Sequence, residues 1–189
     1  MQRILLVLLL SVLLASCRHE ANENRVVAVS SDELKTLLES DTTHLKALVF
    51  YSQACGSCKE MFAEYFKEAI DSCSGYTQFY IVAQDTAFMK EPSEYLSQLG
   101  YNGKSYYITS LSQGVEENSF YRIEAIVQSL FPEDYSLLEE YMGLPFVLIL
   151  SRNNTICTTT YTDGDSVKHA PLYLTKNNLK SLSKNENNL

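Results

Sequence analysis

The chain has 189 residues, 46% of them apolar, 20% charged and 11% aromatic, enough for one domain with a sizeable core. Seven glycines and four prolines exclude a collagen-like or disordered chain. Fifteen basic against 23 acidic residues give a formal charge of −8, which argues against a nucleic-acid partner, because sequence-independent binding needs a basic face.

Arg3 opens a short positive region, and Ile4–Leu14 is apolar except for Ser11. That run is short for a bilayer span and suits a secretory leader. It ends in Leu14-Ala15-Ser16-Cys17, which resembles the lipobox of bacterial lipoproteins. The resemblance implies a signal peptide over 1–16, cleavage before Cys17 and a diacylglycerol on the Cys17 thiol. An ordinary leader cut near Ala15 is the plainer alternative. Two or three acyl chains would hold the protein stably on a membrane. Residues 17–25 are polar and lack periodicity, as a tether would. No later segment is apolar enough to cross a membrane, so residues 26–189 are expected as one domain on its far side.

Val26–Val29 is the first expected strand. Ser30 and Glu33 have the spacing of a capping box, and Leu34, Leu37 and Leu38 form one helical face. Leu45–Ser52 is a nearly continuous apolar run, as expected of a strand buried on both faces. From Cys58 to about Ser72, the residues Met61, Phe62, Tyr65, Phe66 and Ala69 recur at helical spacing. Phe79–Ala83 is another short strand. A tyrosine-rich stretch at about 86–132 follows, with a turn at Gly100–Gly103 and a helix over Glu116–Phe131. Its length marks it as a largely helical insertion, a subdomain or lid. Phe146–Leu150 and Thr155–Tyr161 flank the turn pair Asn153-Asn154 and form a hairpin. Thr175 is placed to cap a terminal helix carrying Leu179 and Leu182. A parallel β-α-β-α-β start followed by a hairpin predicts an α/β fold, a mixed sheet with helices on both faces.

Cys55-Gly56-Ser57-Cys58 stands where the central strand ends and a helix begins. Free N–H groups and the macrodipole at a helix N-terminus favour a thiolate at Cys55. Cys58 is one turn inside, close enough to form a disulfide. Gly56 leaves room for a substrate backbone, and Ser57 offers a hydroxyl. With these residues in this context, the chain resembles the thioredoxin superfamily over about 26–85 and 133–185. Gly143-Leu144-Pro145, leading into Phe146–Leu150, matches that family's cis-proline loop, and proline is the residue for which a cis bond is cheap. The resemblance implies that Cys55 attacks the substrate, Cys58 resolves the mixed disulfide, and Leu144 and Pro145 meet the substrate backbone opposite the dithiol. Lys59 matches a basic residue common after the motif and would help to hold the thiolate.

Three positions depart from the family pattern. Ala54 stands in place of a tryptophan, Val49 in place of a buried acid, and Phe146 in place of a threonine. In the family that acid assists deprotonation of the buried cysteine, so the resemblance implies that turnover here is slower or uses another base, and Glu60 is nearby in sequence. Cys73 and Cys157 read as buried free thiols toward the end of the sheet away from Cys55, since a bridge would have to join non-adjacent strands. No second close cysteine pair completes a zinc site, and His19, His44 and His169 are scattered and read as solvated, so neither a metal nor a cofactor is implied. The tyrosines of the insertion are expected to pack against the sheet rather than line a groove beside Cys55.

Together these features predict a lipid-anchored thiol–disulfide oxidoreductase of the bacterial cell envelope, facing the periplasm or the exterior. Its partners would be protein disulfides or thiols, which it reduces or isomerises. A reductase would also need a membrane electron donor, because that compartment is oxidising. The competing class is a non-catalytic, protein-binding lipoprotein on the same scaffold, with its cysteines as a staple.

Overall fold

The computed structural model describes residues 26–84, 96–98, 101, 103–109, 111, 119–138, 143–159 and 176–186. Cys17, the tether, His19, His169, Thr175 and part of the Gly100–Gly103 turn lie outside them. Val26–Val29 is strand β1, and Ser30 caps helix α1 (Ser31–Ser40). The capping box forms as its spacing predicts. Ser30 Oγ accepts the Glu33 N–H at 3.1 Å, and Glu33 Oε2 accepts the Ser30 N–H at 2.7 Å. Leu34 and Leu38 are buried against the sheet, with Leu37 packed beside them.

Strand β2 (Leu45–Tyr51) is buried along its whole length. Helix α2 (Gly56–Met61), a π-helical turn (Phe62–Phe66) and α3 (Lys67–Cys73) then follow without a break. Of the expected apolar face, Met61, Phe62, Phe66 and Ala69 are buried, while Tyr65 is half-buried. A π turn holds more residues than an α turn, so Tyr65 falls short of the sheet-facing line that Phe62 and Phe66 share.

Strand β3 (Thr77–Ala83) starts at Thr77 rather than Phe79. Strand β4 (Ser105–Ile108) lies within the stretch read as a helical insertion, and the sequence pattern misses it. It pairs in parallel with β1, from Val26↔Ser105 to Val29↔Ile108, and with the end of β3, from Ile81↔Ser105 to Ala83↔Tyr107. So short a strand shows no clear alternation, and its tyrosines merge with those around it. The available signal is the β-propensity of Tyr-Tyr-Ile between Gly103 and Thr109.

Helices α4 (Ser119–Leu130) and α5 (Tyr135–Leu138), strands β5 (Phe146–Leu150) and β6 (Ile156–Thr159), and helix α6 (Lys176–Glu186) complete the described chain. The strand order is β1-β4-β3-β2-β5-β6, parallel from β1 to β2 and antiparallel at β5 and β6. One core packs Leu48, Phe50, Val82, Phe146 and Leu148 under α1 and α4. The other packs Ala47, Val49, Ile81, Val147 and Ile149 under α2, α3 and α6. This is the expected mixed sheet with helices on both faces.

Two details hold the hairpin. Asn154 takes a left-handed backbone (φ 64°), which asparagine tolerates in turns, and Ser151 Oγ accepts the N–H groups of Asn153 and Thr155. Lys46 is fully buried within an otherwise apolar strand, and its Nζ donates to the carbonyls of Ser151 (3.2 Å) and Arg152 (2.8 Å). These bonds repay part of the cost of burying an ammonium group.

Tyr101 packs in the core beside Phe66, as expected, whereas Tyr106 and Tyr107 stand in the sheet itself on β4, where Tyr107 is buried and Tyr106 stacks on Tyr80 with ring centroids 6.0 Å apart. Tyr101 and Tyr106 also border a cavity of about 570 Å³ beside Thr77 and Phe79. That cavity sits at the start of β3, the end of the sheet away from Cys55.

Candidate active site

A tight turn carries the chain from β2 to the dithiol. The Ser52 carbonyl accepts the Cys55 N–H at 3.2 Å, and Ser52 Oγ accepts the Ala54 N–H at 3.2 Å. One residue earlier, the Tyr51 carbonyl accepts the Gln84 N–H at 3.0 Å, which ties the root of the turn to the end of β3. Cys55 therefore arrives at the N-cap of α2 with an extended backbone (φ −84°, ψ 115°). Its Sγ accepts the Cys58 N–H at 3.2 Å. A donor that would otherwise be orphaned in the first helical turn is thus aimed at the sulfur.

The two thiols differ in setting: Cys55 is half-buried and Cys58 fully buried behind it. The first cysteine is partly open to solvent, whereas the second belongs to the core. Gly56 is exposed, with open space where a Cβ would stand, and Ser57 is half-buried. The Leu144–Pro145 peptide is cis, as the loop's sequence implies. The Cys55 thiol donates to the Leu144 carbonyl at 3.5 Å, and the Leu144 side chain packs against both cores. Two loops far apart in sequence therefore meet at one sulfur.

The open space at Gly56 leads to a specific expectation. Gly56→Ala should leave the thermal midpoint unchanged or slightly raised, because alanine is the better helix residue. It should slow reaction with bulky protein disulfides more than with a small disulfide such as oxidised glutathione, and paired rate measurements would check this.

Val49 is fully buried and shares the core around Cys58 with Tyr51, Met61 and Phe62. Glu60 and Lys59 are both exposed, so neither belongs to the core that surrounds Cys58. Cys73 is a buried thiol, as expected. It accepts the Tyr76 hydroxyl at 2.9 Å, and the phenol is pushed up to about 12 by burial and by that bond. Cys157 corrects the sequence reading: it is a thiol, but an exposed one. It lies on the outermost strand, where alternation packs Ile156 against the core and leaves Cys157 on an uncovered side.

His44 is a second correction, since it is only partly solvated. Its Nδ1 lies 3.0 Å from both carboxylate oxygens of Asp41. Burial pushes the Asp41 carboxyl up, but the Thr43 N–H and the His44 and Thr43 side chains outweigh it and hold the group below the usual carboxylate range.

Sequence reasoning overlooked Ser52 and Gln84. A serine just after a strand and before the motif is a turn signal, because its hydroxyl readily bonds the backbone two residues on. Gln84 is fully buried, with its Nε2 donating to the Val82 carbonyl at 3.2 Å, and nothing in the sequence marks it. Among the described residues, no group of three or more His, Cys, Asp or Glu side chains is placed to hold a metal. Likewise, no described helix is long and apolar enough to cross a membrane.

The mixed sheet, the dithiol at the N-cap of a helix and the cis-proline loop facing it define a thioredoxin-like fold. No protein-family model and no curated protein matches the chain. Solved structures do. The thioredoxin domain of a thiol-disulfide oxidoreductase from Bacteroides vulgatus superposes with a TM-score of 0.50 at 9% identity, covering 77% of this chain and 84% of that one. A thiol:disulfide interchange protein from Bacteroides sp. gives 0.47 at 11% identity, over 79% and 78% of the two chains. A secreted disulfide oxidoreductase of Mycobacterium tuberculosis gives 0.45 at 11% identity, over 79% and 85%. At such identities the likeness is one of fold.

Proposed function

We propose that this chain is an extracytoplasmic thiol–disulfide oxidoreductase, held to a membrane through lipid on Cys17, whose Cys55–Cys58 dithiol reduces or isomerises protein disulfides. One observation carries the proposal: a partly exposed Cys55 whose sulfur accepts the N–H of a buried Cys58 and lies against the Leu144 carbonyl. A structural staple has no need of that asymmetry.

In the reducing direction, the Cys55 thiolate attacks one sulfur of a substrate disulfide. A Cys55–substrate disulfide forms, the substrate S–S bond breaks, and the departing thiolate takes up a proton. Cys58 then loses its proton and attacks the Cys55 sulfur. The Cys55–Cys58 disulfide forms, and the second substrate thiolate leaves and is protonated. The substrate gains two electrons and two protons, and the dithiol loses them. Ser57 and the open face of Gly56 border the approach to Cys55, and the Leu144–Pro145 loop offers its backbone to an extended substrate segment. Net reduction in an oxidising compartment requires a membrane electron donor to restore the dithiol. Isomerisation requires none, because the attacking thiolate is regenerated.

Full-length protein should accelerate reduction of insulin by dithiothreitol, and Cys55→Ser should not. Equal rates for the two would favour the second reading, a non-catalytic binding lipoprotein. Val49, buried beside Cys58 where an acid would assist deprotonation, is the observation behind that alternative. The anchor has its own test. Cys17→Ser should move the protein from the membrane fraction to the soluble one, and continued membrane association would remove the lipid assignment.

A further inference from the structure

We infer, on the basis of the proposed role of Cys55 as the attacking thiol, that Ser52 is a positioning residue whose hydroxyl sets the turn that holds the Cys55 sulfur against the Cys58 N–H. Only 3% of Ser52 is exposed, so it is not itself a surface for substrate, and any effect on the chemistry passes through Cys55.

The path is a series of short contacts that follows the chain from Tyr51 to Cys58. The Gln84 N–H bonds the Tyr51 carbonyl at 3.0 Å and fixes the end of β2. Ser52 then accepts twice, from the Ala54 N–H through Oγ and from the Cys55 N–H through its carbonyl, both at 3.2 Å. The Cys55 carbonyl accepts the Lys59 N–H at 3.3 Å, and its sulfur accepts the Cys58 N–H at 3.2 Å. All of these are backbone groups except two: the sulfur itself and the Ser52 hydroxyl. The hydroxyl is the point where a side chain decides the shape of the turn.

Bridging residue 52 to the N–H of residue 54 restricts the loop to one local conformation, as serine hydroxyls do in turns. Removing the hydroxyl takes away one neutral hydrogen bond, whose net contribution to stability is small. The loop, however, gains freedom. The Cys58 N–H is then held less firmly on the sulfur, and the thiolate, which is the nucleophile in alkylation, loses a charge-assisted hydrogen bond.

The test is the rate of alkylation of Cys55 by iodoacetamide in the reduced full chain, followed on the peptide that contains residue 55. S52A should label about tenfold more slowly than the wild type, because the hydrogen bond that supports the thiolate is weakened. S52G, which suits a turn, should do the same and serves as the comparison should S52A fold poorly. S52T restores the hydroxyl and should return the rate to within about threefold. Wild-type labelling in S52A and S52G, or no recovery in S52T, would overturn the inference. Insulin reduction by the wild type judges the oxidoreductase proposal separately. A wild type without that activity, accompanied by slow labelling of S52A, would overturn the activity and leave the role of Ser52 standing.

Discussion

Cells making Cys58→Ser are expected to accumulate disulfide-linked adducts of the protein through Cys55. The half-buried sulfur can still attack a substrate disulfide, but the fully buried partner that would release it has lost its thiol. Turnover should fall by on the order of a hundredfold or more, as when one member of a group acting as a unit is removed. Serine is close to cysteine in size, so the core around Val49, Met61 and Phe62 should stay intact. The adducts should run as high-mass bands on non-reducing gels and collapse on reduction. The exposed Cys157 is another thiol able to form mixed disulfides, so Cys55→Ser/Cys58→Ser is the necessary control. Bands that persist undiminished in the double variant would trace to the remaining cysteines and count against catalysis at the motif.

Phe66→Ala should be the most destabilising of the simple core truncations along the dithiol helix, costing about 3–5 kcal/mol. Its ring is fully buried and meets Phe62 at 4.3 Å, Phe79 at 5.6 Å and Tyr101 at 5.7 Å between centroids. Removing it opens a cavity between the π turn and the sheet and loses three aromatic contacts at once. The melting midpoint should drop by about 6–20 °C for a chain of this size. Tyr65→Ala, one residue away but half-buried, should cost less than about 1 kcal/mol. Denaturant titration of both variants checks the contrast. Equal losses would mean that the π turn does not divide the two residues as described.

The same pair shows where the sequence could be read and where it could not. Phe66 announces itself by helical spacing, and so does Tyr65. Only the π turn separates them, and no residue type marks a π turn in advance. The capping box of Ser30 and Glu33 is local chemistry between near neighbours and was therefore legible in full. The dithiol was legible for a similar reason: Cys55 and Cys58 lie one helical turn apart, after a strand whose end the apolar run marks. The Leu144–Pro145 loop needed the family resemblance as well, because nothing local says which distant sulfur it faces. Strand β4 was not legible, since its place between β1 and β3 depends on pairing across the sheet rather than on its own short pattern. Cys157 was misjudged because burial depends on whether an element covers the outer strand. Ser52 was missed because its partner is a backbone N–H, which the identity of Ala54 does not reveal.

The central claim, that Cys55 and Cys58 form an exchanging dithiol and not a staple, is tested most directly by the reduction potential of the pair. The measurement would equilibrate the full chain in glutathione buffers and quantify the Cys55–Cys58 disulfide by peptide mass. A working oxidoreductase should give a midpoint between about −270 and −120 mV, and a reductase should lie toward the lower value. A pair that stays oxidised below about −300 mV and does not exchange with glutathione would be a structural disulfide, and would contradict the proposed function.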